Sequence, residues 1–201
     1  MPEWTERLNR DFYLRDARVV ARELLGMMLI HESPEGPAGG IIVETEAYLG
    51  EDDPGSHASR SRTPRNEAMW AVGGTAYVYQ IYGVHFCLNV VTERAGVAQA
   101  VLIRALEPCV GTELMRRRRG RDRLVDLCSG PGKLCQALGI DLRLNLADMV
   151  DGPLFIARPA DEFALGEFEV EVTTRIGLSP GQGDDLPLRY YIKGNVYVSR
   201  P

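Results

Sequence analysis

Two glutamates and a tyrosine alternate along one apolar segment, and they are the first candidates for chemistry. The segment runs from Ile41 to Gly50 and carries Glu44, Glu46 and Tyr48 at every second position. Successive side chains of a strand point to opposite faces, so these three lie on one face of any regular strand. Two carboxylates on one face repel each other, which tunes at least one of them for acid–base chemistry. A solvated strand face is the alternative interpretation of this segment taken alone.

The composition is that of a globular protein with one domain. The chain has 201 residues, of which 45% are hydrophobic and 25% are charged, and this is enough for one domain with its own core. No run approaches the roughly 20 consecutive apolar residues that span a bilayer. Residues 1–16 lack the apolar stretch of a signal peptide. We therefore expect a cytoplasmic protein without a membrane contact, associated with the nucleoid if it is bacterial.

Charge and ligand-type residues narrow the function classes. The net charge of −5 argues mildly against a nucleic-acid partner, because phosphate affinity comes from lysine and arginine. Arginines collect in residues 60–65 and 116–121, so a locally basic surface is compatible with the acidic total; a solvated helix end is the alternative for the second run. The four cysteines show no CxxC spacing, and His31, His57 and His85 fall in separate segments. We expect no metal, no cofactor and no disulfide framework.

The first half of the chain predicts elements that position the glutamate segment. Helical spacing of apolar residues predicts a helix over residues 14–25, followed by a strand over residues 27–30. A turn over residues 36–40 then joins this strand to the glutamate strand as a hairpin. Residues 51–64 are polar and rich in Pro, Gly, Ser and Asp, which is typical of an ordered or functional loop.

Residues 75–91 give the clearest β signal, with β-branched and aromatic residues on both sides of Gly83. They predict a hairpin whose tip lies near Gly83, where positive φ costs least, with Tyr82 exposed at that tip. Tyr77 and Tyr79 share one strand face, either as core residues or as flat walls for a planar ring. An exposed aromatic residue at a tip suits insertion into a base stack or contact with a partner.

The remaining segments complete a single α+β domain. Neither an internal repeat nor a linker is apparent, and strand and helix signals alternate to the end. The further strands are predicted over residues 98–106, 153–158, 168–175 and 188–198, and the further helices over residues 67–71 and 112–118. Residues 127–138 predict a turn over residues 129–132 that opens a helix.

Six motifs follow one another along the chain. They are VETEAYLG (residues 43–50), the loop histidine His57, TPRN (63–66), TAYVYQIYGVHFCLNV (75–90), LIRALEP (102–108) and LCSGPGKLCQALGI (127–140). In order and spacing they resemble the alkyladenine (3-methyladenine) DNA glycosylase family of the human type, and the resemblance covers about residues 14–198. It implies one compact α+β domain over residues 1–201, with a curved antiparallel sheet flanked by helices and a protruding β-hairpin. It also implies base flipping.

The resemblance implies the catalytic residues. Glu46 corresponds to the general base that activates a water for attack on the anomeric carbon of the flipped nucleotide. Arg104 corresponds to the arginine beside that glutamate, and the backbone carbonyl of Ile176 to the group that orients the water. Glu44 has no counterpart among the catalytic residues, and its role is open.

The substrate-binding and DNA-binding residues follow in the same way. Tyr48 is expected to stack on one face of the base and His57 and Tyr79 on the other, while Asn89 crowds the purine 2-amino position. An amide that bonds to backbone within the sheet is the structural alternative for Asn89. The expected DNA contacts are Tyr82, which fills the gap left in the duplex, Val84 and His85 beside it, and Lys133, which holds phosphate.

Two features depart from the family pattern. Val84 and His85 stand where the animal proteins carry Met and Tyr, and residues 179–185 are more acidic and glycine-rich than expected. The chain also lacks the N-terminal extension of the animal members, which indicates a bacterial protein.

The sequence therefore predicts a monofunctional DNA glycosylase of base excision repair. It removes alkylated purines, with deaminated purines as a further candidate class, and leaves an abasic site. No lysine stands at the pocket positions, so Schiff-base strand cleavage is not expected. The expected partner is double-stranded DNA containing damaged purines, bound by a monomer. A non-catalytic nucleic-acid-binding module on the same fold is the alternative.

Overall fold

Antiparallel strands make up most of the ordered structure in the computed structural model, which describes residues 3–200. The strands are β1 (Trp4–Arg7), β2 (Met28–Ser33), β3 (Gly36–Tyr48), β4 (Ala76–Ile81), β5 (His85–Thr92), β6 (Gln99–Val110), β7 (Leu154–Pro159), β8 (Val170–Thr173) and β9 (Arg189–Ile192). The helices are α1 (Arg10–Tyr13), α2 (Ala17–Glu23), α3 (Thr112–Arg119), α4 (Val125–Cys128) and α5 (Pro131–Leu138). Short 3-10 helices lie at His57–Ser59, Glu67–Trp70, Leu142–Leu144 and Asp161–Phe163.

The strands form one sheet in the order β1-β7-β2-β3-β6-β5-β4, and β9 pairs with both β3 and β8. Every strand pair within residues 3–200 is antiparallel. The expected α+β architecture with an antiparallel sheet is therefore confirmed. No helix in the described part of the chain is both long and apolar enough to cross a membrane.

The long strand β3 is the centre of the sheet, because it pairs with β2, β6 and β9. The turn predicted over residues 36–40 is wrong, since Gly36 already pairs with Ser33 and β3 continues through the glycines. At Gly39 an added Cβ would lie 2.4 Å from the Leu29 carbonyl oxygen, and at Gly40 it would lie 2.3 Å from that of Glu107. These glycines therefore allow close approach of neighbouring strands rather than a change of direction.

Other predicted elements differ mainly in their ends. The helix predicted over residues 14–25 begins later, at Ala17, because the Asp16 carboxylate accepts a hydrogen bond from the Arg18 N–H (2.9 Å) and caps it there. The strand predicted to end at Leu106 continues to Val110 as β6. The helix predicted to open at the turn over residues 129–132 is α5, which begins at Pro131, and it is preceded by the short helix α4.

Side chains that alternate along the strands contribute to two hydrophobic cores on opposite faces of the sheet. Val101 and Ile103 of β6 point into the large core formed with the helices, whereas Ala100 belongs to a smaller core on the other face. Leu102 and Arg104 share that second face and line a cleft. The face of the sheet turned away from the large core thus becomes the floor of a potential site.

The hairpin formed by β4 and β5 turns where the sequence predicted. Tyr82 and Gly83 both have positive φ, 51° and 71°, and the Val84 N–H donates to the Ile81 carbonyl oxygen (3.2 Å). Tyr82 is 90% exposed. A bulky residue in the left-handed region carries strain, so this exposed ring is held at the tip against the conformational preference of tyrosine.

All four cysteines are free thiols within residues 3–200. Burial raises the pKa of Cys87, and it raises the pKa of Cys109 and Cys128 to about 12. Burial likewise raises the pKa of Cys135 well above its ordinary value. The thiols are therefore protonated at neutral pH.

Candidate active site

A cleft of about 300 Å³ lies on the open face of the sheet, beside the loop that follows β3. This volume is at the small end of ligand pockets, which span roughly 300–1,000 Å³, and suits a single ring system. Seven residues singled out from the sequence line it together: Tyr48, His57, Tyr79, Tyr82, Asn89, Arg104 and Ile176.

Glu46 lies behind the cleft wall and is fully buried. Its Oε1 accepts a hydrogen bond from the Ile176 N–H (2.7 Å) and lies 3.2 Å from Arg104 Nη1. Its Oε2 accepts a hydrogen bond from the Tyr48 hydroxyl (2.9 Å). Three cleft-lining residues therefore hold the carboxylate, and Ile176 does so through its N–H group.

Arg104 lies between the two glutamates of β3. Its Nε donates to Glu44 Oε1 (3.1 Å), while its Nη1 faces Glu46. The pairing register of β3 with β6 shifts on both sides of Glu44, and such an irregularity re-aims side chains. The repulsion expected between the two carboxylates is thus offset by a cation that both of them contact.

One aromatic wall of the cleft is Tyr48. The Arg175 guanidinium lies over its ring, with Cζ 4.7 Å from the ring centroid. Burial, and then the charge of Glu46 and the hydrogen bond to it, raise the pKa of Tyr48 well above its ordinary value. The hydroxyl therefore remains protonated and can donate to Glu46.

Other aromatic residues of the cleft lining are His57, Tyr77 and Tyr79. The His57 and Tyr79 rings meet edge to face at 4.6 Å between centroids, and His57 Nδ1 lies 2.8 Å from the Tyr77 hydroxyl. His57 remains solvent-exposed as a residue, although its ring is partly buried. This burial, followed by the positive charge of Arg65, lowers the pKa of His57. The imidazole is neutral at pH 7.

The loop that carries His57 is tied down by an asparagine of the TPRN motif. Asn66 Nδ2 donates to the backbone oxygens of His57 (2.8 Å) and Ser61 (2.9 Å), and its Oδ1 accepts from the Thr63 N–H (2.6 Å). Asn66 is buried. The segment predicted as an ordered or functional loop over residues 51–64 is therefore held by a side chain that lies just beyond its end.

A second tie is a fully buried ion pair between Asp53 and Arg175. Nη1 and Nη2 of Arg175 donate to the carboxylate, at 2.5 Å and 2.7 Å, and Asp53 also accepts from the N–H groups of Leu49 and Gly55 (3.0 Å each). Burial acts to raise the pKa of Asp53, but these hydrogen bonds and the charge of Arg175 outweigh it, and the pKa falls below its ordinary value. The pair joins the loop after β3 to the segment that contains Ile176.

Asn89 sits at the floor of the cleft in β5. Its Nδ2 donates to the carbonyl oxygen of Tyr77 (3.1 Å), the residue directly opposite in β4. The backbone hydrogen bond expected of a structural asparagine is thus present, and the side chain lines the cleft at the same time. The bond fixes the amide in place.

Three expected DNA-binding residues lie outside the cleft. Val84 and His85 are exposed on the hairpin and border a separate groove of about 1060 Å³. Lys133 is exposed in the first turn of α5, where its Nζ donates to Ser129 Oγ (3.0 Å). The structure leaves these residues accessible without linking them to the cleft.

The arginine run at the end of α3 is partly structural. Arg118 pairs with Glu35 (2.7 Å), and Arg119 Nε donates to the Leu127 carbonyl oxygen (3.2 Å). Arg117 and Arg121 are exposed. Part of the run therefore fastens the helix end to its neighbours, and the remainder is solvated.

The sequence motifs did not single out Asp53 or Arg175 as site residues. Asp53 stands in an acidic triplet, Glu51-Asp52-Asp53, and Arg175 directly precedes Ile176. In the sequence, Arg175 is distinguished only by its position next to Ile176. No sequence feature distinguishes Asp53, which is buried, from Glu51 and Asp52, which are exposed.

Comparison with known proteins identifies the class. Residues 11–196 match the family model described as methylpurine-DNA glycosylase. A protein of Methanoculleus marisnigri is 51% identical over 189 residues, covering 94% of this chain and 96% of its own length. One of Carboxydothermus hydrogenoformans is 47% identical over 193 residues, covering 96% and 98%. Both carry the name "Putative 3-methyladenine DNA glycosylase".

The matched class is that of DNA repair enzymes of base excision repair, hydrolases that act on the N-glycosidic bond. Within it, the chain belongs to the methylpurine-DNA glycosylase family. The expected family is therefore confirmed, and the alternative of a non-catalytic module is not supported.

The Asp53–Arg175 pair generates a prediction about stability. Asp53→Asn leaves a buried guanidinium without its anion, so we expect the free energy of unfolding to fall by about 3–5 kcal/mol. Urea unfolding at pH 7 measures this. Asp141→Asn is the matched control, because Asp141 pairs with Arg143 at the surface and such pairs contribute roughly 1 kcal/mol or less.

The effect of Asp53 depends on pH. Because the folded-state pKa of Asp53 is depressed, its stabilising contribution is present above the unfolded pKa of about 3.9 and is lost as the pH falls through the folded value. The difference between wild type and Asp53→Asn should therefore shrink below about pH 4. A difference that is small at pH 7, or unchanged in acid, contradicts this account.

Proposed function

We propose that this enzyme flips an alkylated purine out of duplex DNA into the cleft and hydrolyses its N-glycosidic bond without cutting the strand. Deaminated purines are a second substrate class of the same cleft. The observation that carries the proposal is one small cavity lined by an arginine and aromatic side chains, with a buried carboxylate held directly behind its wall by Arg104 and Tyr48. No lysine lines this cavity among residues 3–200, which agrees with hydrolysis by water.

The aromatic walls favour a cationic base. A purine alkylated at a ring nitrogen carries positive charge, and electron-rich ring faces attract a cation. The neutral His57 adds no opposing charge. The guanidinium behind Tyr48 is neutralised by Asp53, so the wall has no net positive charge behind it. The cleft is therefore suited to the substrates whose glycosidic bond is already weakened.

In the proposed mechanism Glu46 activates the water that attacks the anomeric carbon, as the cationic base departs. The ionised carboxylate also stabilises the positive charge that develops on the sugar. Arg104 and the Ile176 N–H hold Oε1, while Tyr48, which contacts Oε2, forms the stacking wall. Tyr48 thus both binds the base and positions the Glu46 carboxylate.

In the proposed mechanism the hairpin of β4 and β5 supports base flipping through Tyr82 at its tip. Tyr82 lies at the cleft rim as well as at the hairpin tip, so its ring is placed to enter the space that the flipped nucleotide leaves. Val84 and His85 extend this surface, and Lys133 provides a phosphate contact. With a net charge of −5, binding to undamaged DNA is weak and sensitive to salt.

Glu46→Gln tests the catalytic assignment. The amide keeps the shape of the side chain and removes its charge, so single-turnover excision of a methylated purine should fall by about 10²–10⁴-fold. Lesion-DNA binding, measured by titration, should remain close to wild type. Glu32→Gln is the control, since Glu32 forms an exposed pair with Arg7. Excision near the wild-type rate would remove Glu46 from the mechanism.

Tyr82→Ser tests the role of the hairpin tip. Loss of the ring removes stacking worth roughly 1–3 kcal/mol, so lesion binding should weaken by about tenfold or more, and a fluorescent base analogue should report less flipping. Thermal stability should hardly change, because the ring is 90% exposed. Tyr82→Phe retains the ring and should behave as wild type. A large drop in melting temperature for the serine variant would make Tyr82 a structural residue.

Asn89→Ser tests the specificity of the cleft floor. The fixed amide is expected to clash with the 2-amino group of guanine, which adenine and hypoxanthine lack. The shorter serine should raise the ratio of guanine to hypoxanthine excision by about tenfold or more. Single-turnover rates opposite the same pyrimidine measure this ratio. If a folded variant shows an unchanged ratio, Asn89 has only its structural role.

A further inference from the structure

Glu44, which the mechanism does not use, is fully buried and accepts hydrogen bonds from three residues. Its Oε1 accepts from Arg104 Nε (3.1 Å), Arg189 Nε (2.7 Å) and Ser199 Oγ (3.0 Å), and its Oε2 accepts from the Ser199 N–H (2.7 Å). The carboxylate therefore connects β3 to parts of the chain that are distant from it in sequence, namely β6, β9 and the segment that follows β9.

The contact with Arg104 fixes the orientation of a cleft-lining guanidinium. Arg104 uses Nε for Glu44, leaving Nη1 to face Glu46 at 3.2 Å, and its Nη2 lies 3.5 Å from Ser199 Oγ. A guanidinium is planar and its donors are rigidly spaced. Fixing its Nε edge against Glu44 therefore sets the plane and the direction in which Nη1 reaches Glu46.

Glu44 also keeps a second cation away from Glu46. Arg189 stands directly opposite Glu46 in the β3–β9 pairing, yet its Nε donates to Glu44. The four side chains carry two negative and two positive charges, with Arg104 shared between the carboxylates. Without the charge of Glu44, both guanidinium groups would have Glu46 as the one anion of this cluster.

We propose that Glu44 is a positioning residue for excision, which holds Arg104 in register with Glu46 and draws Arg189 away from it. The proposal rests on the roles proposed above for Glu46 and Arg104. Ser199 contributes to the same positioning, because its N–H and its Oγ hydroxyl both donate hydrogen bonds to the Glu44 carboxylate. A purely structural Glu44 would affect folding and binding of lesion DNA without a separate effect on the excision step.

Glu44→Gln is the primary test. Misplacement of catalytic groups costs up to about 10²-fold in rate, so we expect single-turnover excision to fall between about 10-fold and 100-fold while the lesion-DNA dissociation constant stays close to wild type. Glu107→Gln is the matched control. Glu107 accepts a hydrogen bond from Asn195 (3.0 Å) in the same C-terminal segment, and this change should leave excision unaltered. Parallel losses of binding and excision by Glu44→Gln would overturn the proposal.

Two further variants keep the test decisive. If Glu44→Gln does not yield folded protein, Ser199→Ala decides the question: loss of the Oγ hydrogen bond should slow excision by about fivefold, with binding unchanged, and a wild-type rate overturns the proposal. In the double variant Glu44→Gln/Arg104→Gln, the loss of excision should be smaller than the product of the two single losses, because Glu44 acts in part through Arg104. Effects that multiply would overturn that coupling.

Glu46→Gln, measured in the same series, distinguishes a failure of the proposed mechanism from a failure of the positioning role of Glu44. A wild-type excision rate for Glu46→Gln removes the proposed base, and with it the basis for positioning by Glu44. If Glu46→Gln is inactive while folded Glu44→Gln excises at the wild-type rate, the positioning role alone fails and the proposed mechanism stands.

Discussion

The burial of two carboxylates on one face of β3 is the constraint on which the site depends. An ionised group withdrawn from water costs several kcal/mol unless charge and hydrogen bonds compensate it. Here the compensation comes from Arg104 and Arg189, from the N–H groups of Ile176 and Ser199, and from the Tyr48 and Ser199 hydroxyls. Apart from Tyr48, these partners come from parts of the chain distant from β3, so the contacts that compensate the glutamates also bring the cleft-lining segments together.

The sequence predicted well those features that depend on local periodicity. The alternation in residues 75–91 gave the hairpin, its tip at Tyr82–Gly83 and the shared face of Tyr77 and Tyr79. Glycine was less informative, because it serves both turns and close backbone contact. The turn predicted over residues 36–40 was wrong for this reason. The carbonyl oxygens that leave no room for a side chain at Gly39 and Gly40 belong to neighbouring strands, which only the tertiary structure brings close.

The motifs predicted which residues share the cleft but not what supports them. Asp53 and Arg175 are 122 positions apart, and Glu44 and Ser199 are 155 apart. Neither pair has a spacing that periodicity can detect, because each forms only when distant segments are brought together by the sheet. Glu44 is the clearest example: its position beside Glu46 was evident, but its partners are supplied by β6, β9 and the C-terminal segment.

The buried cysteines have a chemical consequence for an enzyme of this family. The thiolate is the nucleophilic form of cysteine, and a raised pKa keeps a thiol in its unreactive state. Cys87, Cys109, Cys128 and Cys135 all have raised pKa values owing to burial. Methylating agents that modify purines are electrophiles that also attack thiolates. The raised pKa values thus keep the cysteine sulfur atoms in the form that reacts least with reagents that methylate purines.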